Sequence, residues 1–180
     1  MLEIDSADLS RSAKPGDSIA VDGVCLTVVK VKKPFIQFEL IPQTLKLTRF
    51  QEVKVGDKLN LEKSLKMGDS LDGHLLMGHV DGLAKVKSVV SKKNLRQLEI
   101  TPPDDLKRLI ALRGGISVNS VSLTVSHLNK NSFGVSLTKY TLDNTNFGEL
   151  KVGSKVNLEV DMVGRYLDNL LKFQTPRPGK

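Results

Sequence analysis

Apolar residues along this chain follow two periods. Over most of its length they come in short β-branched runs. Ile19-Ala20-Val21, Cys25–Val31 and Ile36–Ile41 are punctuated by Asp22-Gly23 and Lys33-Pro34, the signature of strands joined by tight turns. Leu59-Asn60-Leu61-Glu62 and Val156-Asn157-Leu158-Glu159 alternate apolar and polar, each preceded by a Gly-containing turn at Gly56-Asp57 or Gly153-Ser154. Only near the end does the period change. Val163, Tyr166, Leu167, Leu170 and Leu171 recur at helical spacing, predicting an amphipathic helix over residues 162–173. Shorter helices are expected at Ala7–Ser12 and at Pro103–Leu112, the latter with proline in its first turn. The Thr-Pro-Arg-Pro-Gly-Lys ending, within residues 174–180, is expected to be a flexible tail.

The strand pattern occurs twice. GDSIAVDGVCLTV (16–28) is echoed by GGISVNSVSLTV (114–125), and TLKLTRFQEVKVGDKLNLE (44–62) by TLDNTNFGELKVGSKVNLE (141–159). With Ile19 set against Ile116, the offset of about 97 holds without a gap to Glu62 and Glu159. Roughly 20 of the 44 pairs are identical, so the chain is two copies of one unit. The copies differ at their fronts. Leu2-Glu3-Ile4 matches Leu98-Glu99-Ile100, but the second copy has an apolar segment, Val80 to Gln97, ahead of that point. Five or six short strands per unit predict an all-β protein of two tandem small antiparallel β-barrels, the first missing its opening strand. The expected boundaries are 1–78 for the N-terminal barrel and 79–161 for the C-terminal barrel. The terminal helix either packs on these barrels or serves as an oligomer contact, since three turns of isolated helix are marginal in water.

Composition narrows the class without choosing a function. With 39% hydrophobic and 26% charged residues the 180-residue chain is an ordinary globular protein, and no run approaches the ~18 apolar residues of a membrane span. Glu3, Asp5 and Asp8 near Met1 argue against a secretory or transit leader, and a single Cys fits a reducing, cytoplasmic setting. The net charge of +7 is compatible with nucleic acid, but eight Phe and Tyr residues and no Trp supply few bases-stacking platforms. No P-loop, dinucleotide fingerprint, nucleophile elbow or zinc spacing is present.

The candidate chemistry lies at matched points of the repeat. Cys25 and Ser122 are equivalent, each followed by Leu-Thr-Val; Thr27 pairs with Thr124, and Thr44 with Thr141. Such pairs are either two diverged binding sites or small residues packed beneath a turn. Between the copies, His74 and His79 stand in Gly73-His74-Leu75-Leu76-Met77-Gly78-His79, two of the chain's three histidines. Five apart, they point to opposite faces if this segment is a strand, which disfavours a shared metal. Histidine titrates near neutrality and suits acid–base work, although a lone one also serves as a structural hydrogen-bonder.

Together, GDSIAVDGVCLTV, PQTL, VGDKLNLE, GHLLMGHVDG, VSLTV, TLDNT and GELKVGSKVNLEVD resemble the α-type riboflavin synthases, which carry two lumazine-binding repeats. The likeness runs from residue 1 to about 172. It implies two six-stranded Greek-key barrels, a homotrimer assembled through the C-terminal helix with catalytic sites between the N-terminal barrel of one subunit and the C-terminal barrel of its neighbour, and no metal or cofactor. The implied reaction transfers a four-carbon unit between two molecules of 6,7-dimethyl-8-ribityllumazine, giving riboflavin and 5-amino-6-ribitylaminouracil. Lumazine synthase is a further partner that the resemblance suggests; nucleic acid and membrane are not.

Carried onto this chain, the resemblance implies catalytic roles for Cys25, His74, His79, Ser122 and Asp161. Substrate contacts are implied for Gly23, Val24, Thr27, Gln43, Thr44, Gly78, Val121, Thr124, Tyr140 and Thr141. Ser122 is expected to work with His79 across the subunit interface in removing a methyl proton. The chain departs from the family pattern at several points: the usual Met-Phe-Thr-Gly start is missing, and Gln43 stands for Glu. Lys139-Tyr140 replaces Pro-Glu or Pro-His, while Asp72 and Ser120 each replace Gly. A non-catalytic lumazine- or flavin-binding protein on the same fold is the alternative reading.

Overall fold

A computed structural model describes residues 1–93 and 95–174. The first repeat forms β1 (Leu2–Asp5), α1 (Ala7–Ser10), β2 (Ser18–Val21), β3 (Val24–Lys32), β4 (Phe35–Phe38), α2 (Pro42–Leu47) and β5 (Leu61–Lys63). The second forms β6 (Gly82–Lys92), β7 (Leu95–Thr101), β8 (Gly115–Val118), β9 (Val121–Asn129), β10 (Ser132–Thr138), α3 (Lys139–Asn144) and β11 (Lys155–Val160), followed by α4 (Met162–Gln174). All strand pairs are antiparallel.

The second repeat closes into a six-stranded barrel in the order β10-β7-β6-β11-β8-β9. The first is an open five-stranded sheet, β1-β4-β3-β2-β5. Its order is that of the barrel with the counterpart of β6 left out, so its two edges, β1 and β5, are the counterparts of β7 and β11, the strands that β6 joins in the second repeat. Both repeats bend at the same place: a bulge on β3 at Val28/Lys30 recurs on β9, where Val125 and His127 face Val135 and Gly134. Each unit has its own core. Ile19, Val21 and Phe50 fill the first, and their equivalents Ile116, Val118 and Phe147 fill the second.

Several elements differ from the sequence expectation. The helix anticipated at Pro103–Leu112 is a 3-10 segment, Asp104–Leu109, and the strand anticipated at Ile36–Ile41 stops at Phe38. Helices α2 and α3 begin there instead, Pro42 supplying a first-turn residue that needs no hydrogen bond and Thr138 capping the Thr141 amide. The tail expected at 174–180 lies, beyond Gln174, outside the described residues. No helix among the described residues is long and apolar enough to cross a membrane. The predicted apolar stripe of α4 is exposed: Val163, Tyr166, Leu167, Leu170 and Leu171 each keep more than half their surface open.

The units meet through their β2–β3 and β8–β9 turns. Asp22-Gly23 and Asn119-Ser120 all have positive φ, the type I′ geometry that follows the twist of paired strands. Gly23 abuts the other turn so closely that a Cβ there would lie 2.9 Å from the Ser120 amide nitrogen. Around this contact the hydrogen bonds come in mates. The Asn60 and Asn157 amides donate to the Asp22 and Asn119 side chains at 2.7 and 2.8 Å. Their side-chain nitrogens cross the junction to the Asn119 and Asp22 carbonyls at 2.7 and 2.9 Å. The Arg49 and Asn146 amides reach the Asn157 and Asn60 side chains, both at 2.8 Å. The mates diverge in one respect: where Asn119 donates to Asn146 at 3.4 Å, Asp22 pairs with the Arg49 guanidinium at 2.9 Å. Burial pushes the Asp22 carboxyl up to about 6, and its bonds to the Asn60 amide, Arg49 and Asn146 only partly oppose that.

Candidate functional site

Beside this junction lies a groove of about 970 Å³. Its lining includes Gly23, Cys25, His74, Gly78, Val121 and Ser122. The alternation of β3 puts Cys25 and Thr27 outward while Val24, Leu26 and Val28 fill the core. Cys25 pairs with Ala20 on β2, and Ser122 takes the equivalent place opposite Ser117 on β8. A thiol and a hydroxyl at matched positions therefore border one shared groove.

The segment between Lys63 and Gly82 contains no strand, so the rule that places residues five apart on opposite faces does not apply to it. It crosses the junction instead. Gly73 lies against Ser122, where a Cβ would come within 2.5 Å of the hydroxyl oxygen. The His74 ring then rests over Gly115, with Nδ1 2.7 Å from Ser122 Oγ. The same oxygen accepts the His74 backbone N–H at 3.3 Å. With one proton and two lone pairs, the hydroxyl can accept from the amide and still give its proton to Nδ1; with the Nε2-protonated tautomer that is the orientation in which imidazole acts as base toward serine. Nε2 is buried without a protein partner among the described residues. Further along, Gly78 takes φ +72° and accepts the Cys25 amide through its carbonyl at 2.9 Å.

The remaining sequence candidates fall elsewhere. His79 is exposed, its carbonyl accepting from Arg165, and within the chain Ser122 meets His74. Asp161 caps α4, its carboxylate accepting the Val163 amide at 3.0 Å. Val24 belongs to the first core. Thr27 and Thr124 lie on outer strand faces, and Gln43 and Tyr140 are exposed on α2 and α3. The Thr44 and Thr141 carbonyls accept the hydroxyls of Thr48 and Thr145, which cap the next turns. Sequence reading missed Glu159, a buried groove residue whose carboxylate accepts the Met77 and Gly78 amides. The available signal was a charged residue in an alternating strand that ends inside a run of buried positions. No group of three metal-ligating side chains occurs among the described residues.

Comparison with known proteins gives a consistent picture. The lumazine binding domain model matches residues 2–64 and 77–161. A riboflavin synthase of Brucella abortus (strain 2308) is 37% identical over 179 residues, spanning 97% of this chain and 89% of that protein. Riboflavin synthases of Bacillus subtilis (strain 168) and Photobacterium phosphoreum are 35% and 37% identical, over 94% and 96% of this chain and 79% and 78% of theirs. Among solved structures, LumP complexed with riboflavin superimposes with a TM-score of 0.82 at 30% identity, covering 88% of this chain and 86% of LumP. LumP complexed with 6,7-dimethyl-8-(1'-D-ribityl) lumazine gives 0.77 at 29%, covering 85% and 82%.

Proposed function

The chain belongs to the riboflavin synthases built on the lumazine binding domain, and from that premise we propose that it converts two molecules of 6,7-dimethyl-8-ribityllumazine into riboflavin and 5-amino-6-ribitylaminouracil. The two substrates together contain the atoms of the two products, so the reaction needs no oxidant or reductant. The observation that carries the reading is the Ser122–His74 contact at 2.7 Å beside Cys25, in a groove shared by the two repeats.

A methyl group on a lumazine is acidic because the ring delocalises the resulting carbanion, and a modest base is enough to remove its proton. Ser122, with its hydroxyl bonded to His74 Nδ1, is the group we assign to that step. Cys25 activates or orients the acceptor lumazine from the first repeat. Thr27, Thr44, Thr124 and Thr141 bind ring or ribityl chain, and Gly23, Val24, Gln43, Gly78, Val121 and Tyr140 shape the surroundings. Much of the acceleration comes from holding two large ligands face to face, one on the N-terminal barrel of one subunit and one on the C-terminal barrel of its neighbour. Residues 1–78 and 79–161 act as the two lumazine-binding units. The exposed apolar stripe of α4 supports assembly into a homotrimer through that helix, with His79 and Asp161 near subunit boundaries. A cytoplasmic setting with lumazine synthase as neighbour fits the same reading.

The test is direct: incubation with the ribityllumazine alone produces riboflavin fluorescence. The LumP likeness supports a second reading, a binding protein of the same fold. Tight lumazine binding without product would select it.

A further inference from the structure

The segment from Ser64 to Asp81 has no regular structure of its own, yet it carries His74 and Gly78 into the groove. Its depth has to be set from outside. One side chain grips it at two points: Glu159 Oε1 accepts the Met77 N–H at 2.9 Å, and Oε2 accepts the Gly78 N–H at 3.1 Å. Both oxygens of one ionisable carboxylate are thus used on consecutive amides, a strong and directional arrangement. Glu159 lies on β11 and is only 3% exposed. The grip continues into the site. Gly78 returns its carbonyl to the Cys25 amide at 2.9 Å, and a Cβ on Gly78 would stand 2.7 Å from the Cys25 Cβ. On the other side of Met77, the same segment brings His74 to Ser122. The equivalent residue of the first repeat, Glu62, is exposed and accepts the Ser120 hydroxyl at 3.1 Å instead. Only the second repeat uses this carboxylate as a clamp.

We propose that Glu159 is a positioning residue for the four-carbon transfer, fixing residues 73–78 so that the Cys25 thiol and the Ser122–His74 pair face the two substrates at the required depth. The proposal rests on the functional reading above. A displacement of about 1 Å costs an aligned reaction on the order of 10²-fold, so a clamp of this kind acts on turnover without touching substrate.

The experiment compares full-length wild type with Glu159→Gln and Glu159→Asp. Three quantities are read: kcat and KM for riboflavin formation, the rate of Cys25 alkylation by iodoacetamide, and the thermal midpoint. Gln turns an amide NH2 toward a backbone N–H and loses one of the two bonds. We expect kcat to fall about 10²-fold with KM little changed, and Cys25 to alkylate faster as Gly78 lifts from it. Asp retains the charge but falls short by one methylene, and shows the same pattern more weakly. A lowered midpoint with unchanged kcat and unchanged alkylation in the folded variants would reduce Glu159 to a structural residue and overturn the proposal. Should Glu159→Gln not fold, Glu159→Asp matching wild type in both kcat and alkylation has the same force. If wild type itself forms no riboflavin, the functional reading fails, and the alkylation rates alone then decide whether Glu159 holds Gly78 over Cys25.

Discussion

The charge pair at the junction can be converted into its own counterpart. Asp22 and Arg49 occupy the positions that Asn119 and Asn146 hold in the second repeat, so Asp22→Asn combined with Arg49→Asn writes the second repeat's solution into the first. The partners needed by the new amides are in place. Asn60 and Asn146 already donate to Asp22 Oδ1, and Arg49 reaches Asn157 through its backbone N–H, which any residue keeps. The single changes are different. Arg49→Asn leaves a carboxylate with no exposed side-chain surface facing no cation, at a cost of roughly 3 kcal/mol. Asp22→Asn strands a guanidinium that is 18% exposed and can turn toward water, costing about 1 kcal/mol. The double variant is expected within about 1 kcal/mol of wild type, because a buried ion pair replaced by well-fitted neutral groups is often neutral or better. The coupling energy is then at least about 3 kcal/mol.

The same cycle has a pH signature. Asp22 has a folded-state pKa of about 6 against an ordinary 3.8, so the folded protein binds its proton more tightly than the unfolded chain does. The stability it contributes is fully present below about pH 4 and is lost as pH rises through 6. Two pKa units correspond to about 3 kcal/mol as an upper bound. Urea unfolding at pH 4.5 and at pH 7 (chosen as roughly the two sides of that window) should show wild type gaining on the double variant at the lower pH. All other carboxylates are shared and cancel. Strict additivity of the two single changes, or a wild-type-minus-double difference that does not move with pH, would refute the account of Asp22 as a desolvated carboxyl held by Arg49.

Four further outcomes follow from the geometry. Ser122→Ala should lower riboflavin formation on the order of 10²-fold or more in steady-state fluorescence assays, with an unchanged unfolding midpoint. Gly78→Ala should lower both stability and turnover, since φ +72° and the Cys25 side chain leave no room for a methyl; calorimetry and the same assay measure it. If the exposed stripe of α4 holds the proposed homotrimer together, Leu167→Glu should shift the sedimentation coefficient toward that of a single chain while leaving circular dichroism intact. Appending a copy of residues 80–97 upstream of Leu2 should raise the urea midpoint by pairing the β1 and β5 edges, as β6 pairs their equivalents.

Much of this molecule was legible because it is written twice. Turn residues at Asp22-Gly23 and strand alternation at Leu59–Glu62 each had a second instance 97 positions on, and the barrel-plus-open-sheet arrangement follows from the unequal fronts. Helices α2 and α3 escaped notice because six residues carry less than two turns of periodicity and sit at the end of β-branched runs. The site was less legible. Its polar atoms meet across 48 residues between His74 and Ser122, and across 82 between Met77 and Glu159, by way of a segment with no period to read. Which of the two histidines meets Ser122 within the chain depends on where an irregular segment turns: Gly73 lets it approach Ser122, and Gly115 gives the His74 ring room. Asn60 and Asn157 were the overlooked clue: an amide in the middle of Leu-Asn-Leu or Val-Asn-Leu has to find partners inside the fold.

The mated bonds at the junction also define a symmetry. Contacts in which residue i of one body meets j of the other, and j meets i, define an isologous interface, the pattern of a twofold dimer. Here both bodies belong to one polypeptide, so the junction is a homodimer contact carried in cis. Its two faces differ at Asp22–Arg49 against Asn119–Asn146. The change sorts partners. Two first units facing one another would gather two buried carboxylates and two guanidinium groups at one axis, whereas two second units would meet through amides alone. The second repeat carries the self-complementary face, and the first carries its dedicated mate.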